Sequence, residues 1–203
     1  MEEKKLSQEQ VWNSIAEKWN EYMEKPLSEV LDFLKNKKGK LLDLGCGSGR
    51  HFIEFNGTIY GVDFSEKLLS LALKKSESID KKIILIKSSA DKLQFKDNFF
   101  DCAIFIRALH CIDSENARRR SVKELHRVLK PEARAFIQTW GKNNSRLKTK
   151  DKECFIPWTV NGKKYLRHTY IFDKEELEKM LKKSGFVVEK IWEDRNINVI
   201  VKK

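Results

Sequence analysis

The stretch Leu41-Leu42-Asp43-Leu44-Gly45-Cys46-Gly47-Ser48-Gly49 constrains the fold more than any other part of this 203-residue chain. A short apolar run that breaks into alternate glycines reads as a buried strand feeding a tight turn. Glycine enters left-handed backbone without steric cost and lets a ligand approach the main chain, and such a turn is expected to open a helix. The third glycine falls one residue early for G-x-G-x-x-G, since position 50 is Arg. Asp43, two residues before the first glycine, puts a carboxylate at the strand tip. A carboxylate there repels a pyrophosphate and suits a cationic ligand instead.

Downstream the pattern alternates. TIYGVD (58–63) reads as a strand ending in Asp63, and Ser65 as the cap of a helix reaching about Lys75. KIILIK (82–87) and FDCAIFI (100–106) read as strands. Ala117, Val122, Leu125, Val128 and Leu129 form a helical stripe over 114–129 that Pro131 stops. A strand at 133–140, a helix at 173–183 closed by Gly185, and a final hairpin from FVVEKIW and NVIVKK follow. Ahead of the glycines, Val11, Trp12, Ile15, Trp19, Tyr22 and Met23 recur at helical spacing. Pro26 interrupts them, and a second helix carries Val30, Leu31, Phe33 and Leu34. This order predicts an α/β fold with a mostly parallel seven-stranded sheet, helices on both faces and an antiparallel C-terminal hairpin. One domain is expected over 1–203, with a helical cap at 1–36 and an irregular basic insertion at 141–168.

The chain carries 41 Lys+Arg against 30 Asp+Glu, a net +11. From Lys142 to Tyr170, eight basic residues (Lys142, Arg146, Lys148, Lys150, Lys152, Lys163, Lys164, Arg167) outnumber Asp151 and Glu153, so this segment supplies a net +6. A polyanionic partner or a lysine-rich solvated surface accounts equally for that excess. Cys46, Cys102, Cys111 and Cys154 are scattered without a C-x-x-C pair, so neither a metal site nor a disulfide framework is expected. No apolar run approaches the ~18 residues of a membrane span, and MEEKKLSQEQ is too polar for a signal-peptide core. A cytoplasmic protein with reduced thiols is expected.

LLDLGCGSG followed by the acid at the tip of the second strand resembles the first two motifs of the class I S-adenosylmethionine (SAM) methyltransferases, a Rossmann-like fold. The resemblance implies SAM as cofactor and S-adenosylhomocysteine as product. On the matching positions it implies cofactor contacts at Asp43, Gly45, Cys46, Gly47, Gly49, Asp63, Phe64, Ser89, Ala90 and Arg107. Asp63 is assigned to the ribose hydroxyls and Ser65 to the helix cap. SSADKLQF (88–95) resembles the adenine-contacting segment. Ser89 stands where the family has Asp, and Asp91 is its substitute. Pro131-Glu132-Ala133 stands where the family has Pro-Gly-Gly.

Segments outside that core resemble the tRNA methyltransferases that esterify wobble carboxymethyluridine, including the methyltransferase part of the AlkB-homologue fusion. They are VWNSIAEKWNEY (11–22) with Lys25-Pro26, Cys154-Phe155-Ile156-Pro157-Trp158 on a V-P-W element, RHTYIFDKEEL from Arg167, and the C-terminal WEDRNINVIVKK. The resemblance implies tRNA, at the anticodon loop, as partner rather than DNA or a membrane, and a small zinc-containing activator subunit. The apolar face of the fourth strand and its helix is the expected seat for such a subunit. A carboxylate acceptor is already ionised at neutral pH and needs no strong base. The task is to hold it in line with the methyl group, which a guanidinium clamp does through paired hydrogen bonds. Arg167 is the first candidate, Arg107 the second, and His110 lies on the same loop as Arg107. Trp158, Tyr170 and Asn196 join Arg167 as candidate acceptor contacts. Arg118, Arg119 and Arg120 read as a solvated helix face. A metabolite methyltransferase and a SAM-binding subunit without catalysis are the competing functions.

Overall fold

The computed structural model describes residues 6–22, 25–144, 147 and 151–203. Met23, Arg146, Lys148 and Lys150, named above, therefore lie outside the described residues. Seven strands form one sheet in the order β3-β2-β1-β4-β5-β9-β8. Here β1 is Lys38–Leu44, β2 Asn56–Asp63, β3 Lys82–Lys87, β4 Phe100–Ile106, β5 Leu129–Trp140, β8 Val187–Glu193 and β9 Asn196–Lys202. The first five run parallel, and β9 lies antiparallel between β5 and β8.

The continuous apolar run of β1 is explained by burial on both faces. Leu42 and Leu44 pack with Val122 and Leu125 of α4 (Glu115–Val128) and Leu177 of α5 (Lys174–Lys183). Leu41 packs on the opposite face with Val30 and Leu34 of α2 (Ser28–Leu34) and Ala72 of α3 (Glu66–Ser76). Ser65 accepts from the Leu68 amide and caps α3 as expected. A third cluster joins Trp12, Ile15 and Ala16 of α1 (Gln8–Tyr22) to Leu68, so α1 lies across the end of α3.

Four expectations are corrected. Residues 45–55, which connect β1 to β2, form turns and no α-helix. Phe52 and Phe55 from those turns, with Val30 and Leu34 of α2, cover the sheet where a crossover helix would lie. The insertion is not irregular: β6 (Glu153–Val160) and β7 (Lys163–Tyr170) form an antiparallel hairpin. Its two-residue turn is Asn161-Gly162, with φ of 48° and 76°, the left-handed pair that matches the twist of flanking strands. Next, β5 begins at Leu129 and runs through Pro131, with a register irregularity there. Glu132 takes a φ of 66° where the resembling family has glycine. Finally, β4 is central, and Cys102 to Phe105 are buried. Its apolar faces are covered by this chain's own core and offer no seat to a partner.

Arg118 is also not solvated. It is 4% exposed, donates to the Ile112 carbonyl at 2.7 Å and lies 4.0 Å from the Tyr170 ring centre. Its neighbours fit the solvated face better: Arg119 pairs with Glu115 and Arg120 with Asp91, both half-exposed. No helix among the described residues is long and apolar enough to cross a membrane.

Candidate active site

In open α/β sheets ligands bind beyond the carboxyl ends of the strands, where the strand order reverses. Here that point lies between β1 and β4, and a cavity of about 360 Å³ opens there. Its floor is the turn Gly45–Ser48, its sides are Asp63, Phe64, Ser89, Ala90 and Arg107, and Trp12 and Trp19 of α1 close over it. Gly45 has a φ of 70°, and a Cβ there would lie 2.4 Å from that of Ala108. Gly47, at φ 54°, has open space where its Cβ would be. The first glycine is thus demanded by packing and the second by the turn. Gly49 and Asp43 do not reach the cavity wall.

Asp63 holds the turn in place. Its carboxylate accepts from the Gly47 amide at 2.9 Å and from the Ser65 amide at 2.9 Å. Burial raises its pKa to about 6, against the pull of those N–H groups. Asp43, 1% exposed, lies beneath the turn with one carboxylate oxygen unpartnered among the described residues. Burial first, and the Asp63 charge second, push it up to about 8. A cation arriving above the turn relieves both acids, and an acid on the wall matches hydroxyl donors. These features fit SAM, whose sulfonium supplies a transferable methyl group. Ser89 donates to Asp91, which also accepts from Arg120 at 2.7 Å. Burial would raise the Asp91 pKa, but those bonds outweigh it and leave the acid below its ordinary range.

Arg107, Arg50 and His51 also line the wall, and sequence reasoning missed the last two. Arg107 donates through Nε to Gln138 Oε1 at 2.7 Å. His110 is buried, stacked on Trp140 with centroids 4.7 Å apart, and its Nδ1 lies 3.2 Å from Thr139 Oγ1. Burial, then Arg167 and Arg107, lower its pKa to about 3, so it stays neutral.

The other acceptor candidates stand off the cavity wall. Arg167 is 6% exposed, behind Trp12 and Trp19, with its guanidinium 4.9 Å from the Trp19 ring centre and 5.0 Å from that of Trp158. Trp158 packs on Trp19 and Tyr22. Tyr170 bonds Glu176 and faces a second cavity beside α5. Asn196 is buried at the start of β9, its backbone N–H donating to Asp194 Oδ1 at 2.8 Å. Of the basic insertion, Lys142 and Lys152 pair with Asp173, while Lys163 and Lys164 stand exposed at the hairpin tip.

Residues 42–137 match the family described as "Methyltransferase domain". That segment of the chain is a methyltransferase domain. The fold agrees: a SAM-dependent methyltransferase from Methanosarcina mazei superposes with a TM-score of 0.70 at 21% identity, covering 88% of this chain and 98% of that one. Among curated relatives, the domain is similar to the tRNA (carboxymethyluridine(34)-5-O)-methyltransferase of Arabidopsis thaliana, 29% identical over 128 residues. These cover 62% of this chain and 29% of the relative. It is also similar to the 2-phytyl-1,4-naphtoquinone methyltransferase of a Nostoc species, 33% identical over 154 residues, covering 71% of this chain and 60% of the relative. The matched part of the chain thus spans under a third of the length of the Arabidopsis relative. SAM is the cofactor that this match implies, and the glycine turn, Asp63 and Arg107 of the cavity all lie inside the matched segment.

Proposed function

We propose that this methyltransferase domain acts on tRNA and esterifies the carboxymethyl group of a wobble uridine in the anticodon loop. The observation that carries this is the cationic wall formed by Arg50 and Arg107 beside the β4 tip. An anionic acceptor complements the charge of that wall, and a carboxylate is anionic at neutral pH without help from a base. His110, held neutral by burial, is then not required to take a proton. Arg107 takes the place beside the acceptor, and Arg167 backs the aromatic wall that excludes water from it. Lys163 and Lys164 supply exposed positive charge for the RNA backbone. The Arabidopsis relative acts by its printed name on this acceptor, which supports the proposal.

Methylation of a quinone-type acceptor is the second reading, favoured by the higher identity to the Nostoc relative. It calls for an apolar acceptor end and gives the Arg107 guanidinium no partner on the acceptor. Mass spectrometry of tRNA nucleosides from cells lacking the protein separates the two. The first reading expects carboxymethyluridine to accumulate and its methyl ester to vanish. Unchanged nucleosides beside an altered quinone pool select the second.

A further inference from the structure

We propose that Arg107 anchors a carboxylate in the cavity, and that Gln138, Asn198 and Asp194 are positioning residues that hold its guanidinium there. The inference rests on the SAM-dependent domain and not on the tRNA acceptor.

Arg107 sits just beyond β4 with a φ of 55°, a conformation uncommon for any residue but glycine. Two bonds to one partner fix it: its amide donates to the Gln138 carbonyl at 2.7 Å and its Nε to Gln138 Oε1 at 2.7 Å. Gln138 Nε2 donates to Asn198 Oδ1 at 2.7 Å, and Asn198 Nδ2 donates to Asp194 Oδ2 at 3.2 Å. A carboxylate only accepts, so Asp194 forces Asn198 to turn its NH₂ outward. Asn198 therefore offers oxygen to Gln138, and Gln138 offers oxygen to Arg107. Each amide in the chain has one orientation available. Gln138 is 1% exposed and Asn198 0%, directly paired across β5 and β9. Apolar residues would pack there without the cost of burying amides. What the relay adds is a guanidinium with one edge fixed.

The other edge is unspent. Among the described residues the Arg107 Nη groups have no hydrogen-bond or ion-pair partner, although the residue lines the cavity. His51 lies on the same wall, 5% exposed, with Nε2 unpartnered among the described residues. Burial, then Arg50, destabilises the Arg107 charge, and the carboxylates of Glu29 and Asp194 offset only part of that. A guanidinium edge, a buried imidazole nitrogen and a nearby second arginine are complementary to a carboxylate. Two carboxylates can come to this wall: that of the SAM amino-acid end, and one on the acceptor.

Calorimetric titration with SAM and with decarboxylated SAM, which keeps the ammonium, separates the sources. The proteins compared are wild type, Arg107→Gln, Gln138→Leu and Gln138→Glu. If SAM provides the carboxylate, wild type prefers SAM by roughly tenfold. Arg107→Gln abolishes that preference, Gln138→Leu shrinks it, and Gln138→Glu, which restores an acceptor for Nε, recovers part of it. A purely structural role would weaken both ligands alike and leave the ratio unmoved. If the acceptor provides the carboxylate, the ratio survives in every variant. Acetate added to the SAM-saturated protein then shifts the Arg107 Nε–Hε resonance in nuclear magnetic resonance spectra, and shifts it less in Gln138→Leu. An unchanged ratio together with a resonance that ignores acetate overturns the anchor. Effects in Arg107→Gln with none in Gln138→Leu overturn the relay.

Discussion

The amide of Gly47 donates to the Asp63 carboxylate at 2.9 Å, so the acid that ends β2 holds the turn that ends β1. One side chain thus fixes the cavity floor and presents a carboxylate to its wall. Removing it has two consequences. Asp63→Ala is expected to weaken SAM binding by about 1–3 kcal/mol, because hydrogen bonds to a charged group disappear. It should also speed amide hydrogen exchange at Gly47. Calorimetry showing wild-type SAM affinity in this variant would remove Asp63 from the site.

The buried acids give stability a definite pH dependence. Asp43 is raised from 3.8 to about 8 and Asp63 to about 6. Above pH 4 the native state therefore holds protons that the unfolded chain releases. Stability of the ligand-free protein is largest at or below the unfolded value and falls as pH rises, until about 6 for Asp63 and about 8 for Asp43. The slope per group reaches at most about 1.4 kcal/mol per pH unit. Asp43→Asn should flatten the fall between pH 6 and 8 in urea denaturation. A slope equal to wild type would mean Asp43 is ionised in the free protein.

Binding a cation reverses the same linkage. SAM should favour the ionised acids and expel protons at pH 7. Titrations in buffers of different ionisation enthalpy measure the number released, and none released would contradict the raised Asp43.

Arg167 stacks behind the cavity wall rather than lining it. Arg167→Ala should cost about 2 kcal/mol of stability, because it removes a desolvated guanidinium from over the indole rings. Arg167→Lys keeps the charge without the plane and should fall between. Urea denaturation followed by tryptophan fluorescence reads both. Full stability with a raised acceptor KM would instead place Arg167 against the acceptor.

Replacing Lys163 and Lys164 by Gln should weaken tRNA binding and reduce its log–log salt slope by roughly 0.7–0.9 for each phosphate no longer neutralised. Affinity for SAM should stay unchanged, and an unaltered salt slope returns the hairpin tip to ordinary solvated surface.

Much of the fold and site is legible in the sequence where the signal is local. The run ending at Gly45, the acid at Asp63 and the cap at Ser65 lie within a few residues of the elements they control. The hairpin at 153–170 escapes a sequence reading although Asn161-Gly162 marks its turn, because Pro157 and the lysines mask the alternation of its strands. Arg118 reads as solvated because its triplet neighbours are exposed, and the ring that buries it, Tyr170, is supplied from β7. The relay is invisible for the same reason. Gln138 and Asn198 each read as one polar residue in an apolar strand, and only the β5–β9 register sets them face to face.

Methyl transfer in vitro tests the tRNA assignment most directly. The purified protein, with any activator subunit it requires supplied, is incubated with labelled SAM and an anticodon stem-loop RNA carrying carboxymethyluridine at the wobble position. The nucleosides are then separated and weighed. An alkali-labile label on that nucleoside, with the mass gain of one CH₂, is expected for an ester formed on the carboxylate. Label that resists alkali, or that appears equally on RNA with an unmodified wobble uridine, would contradict it.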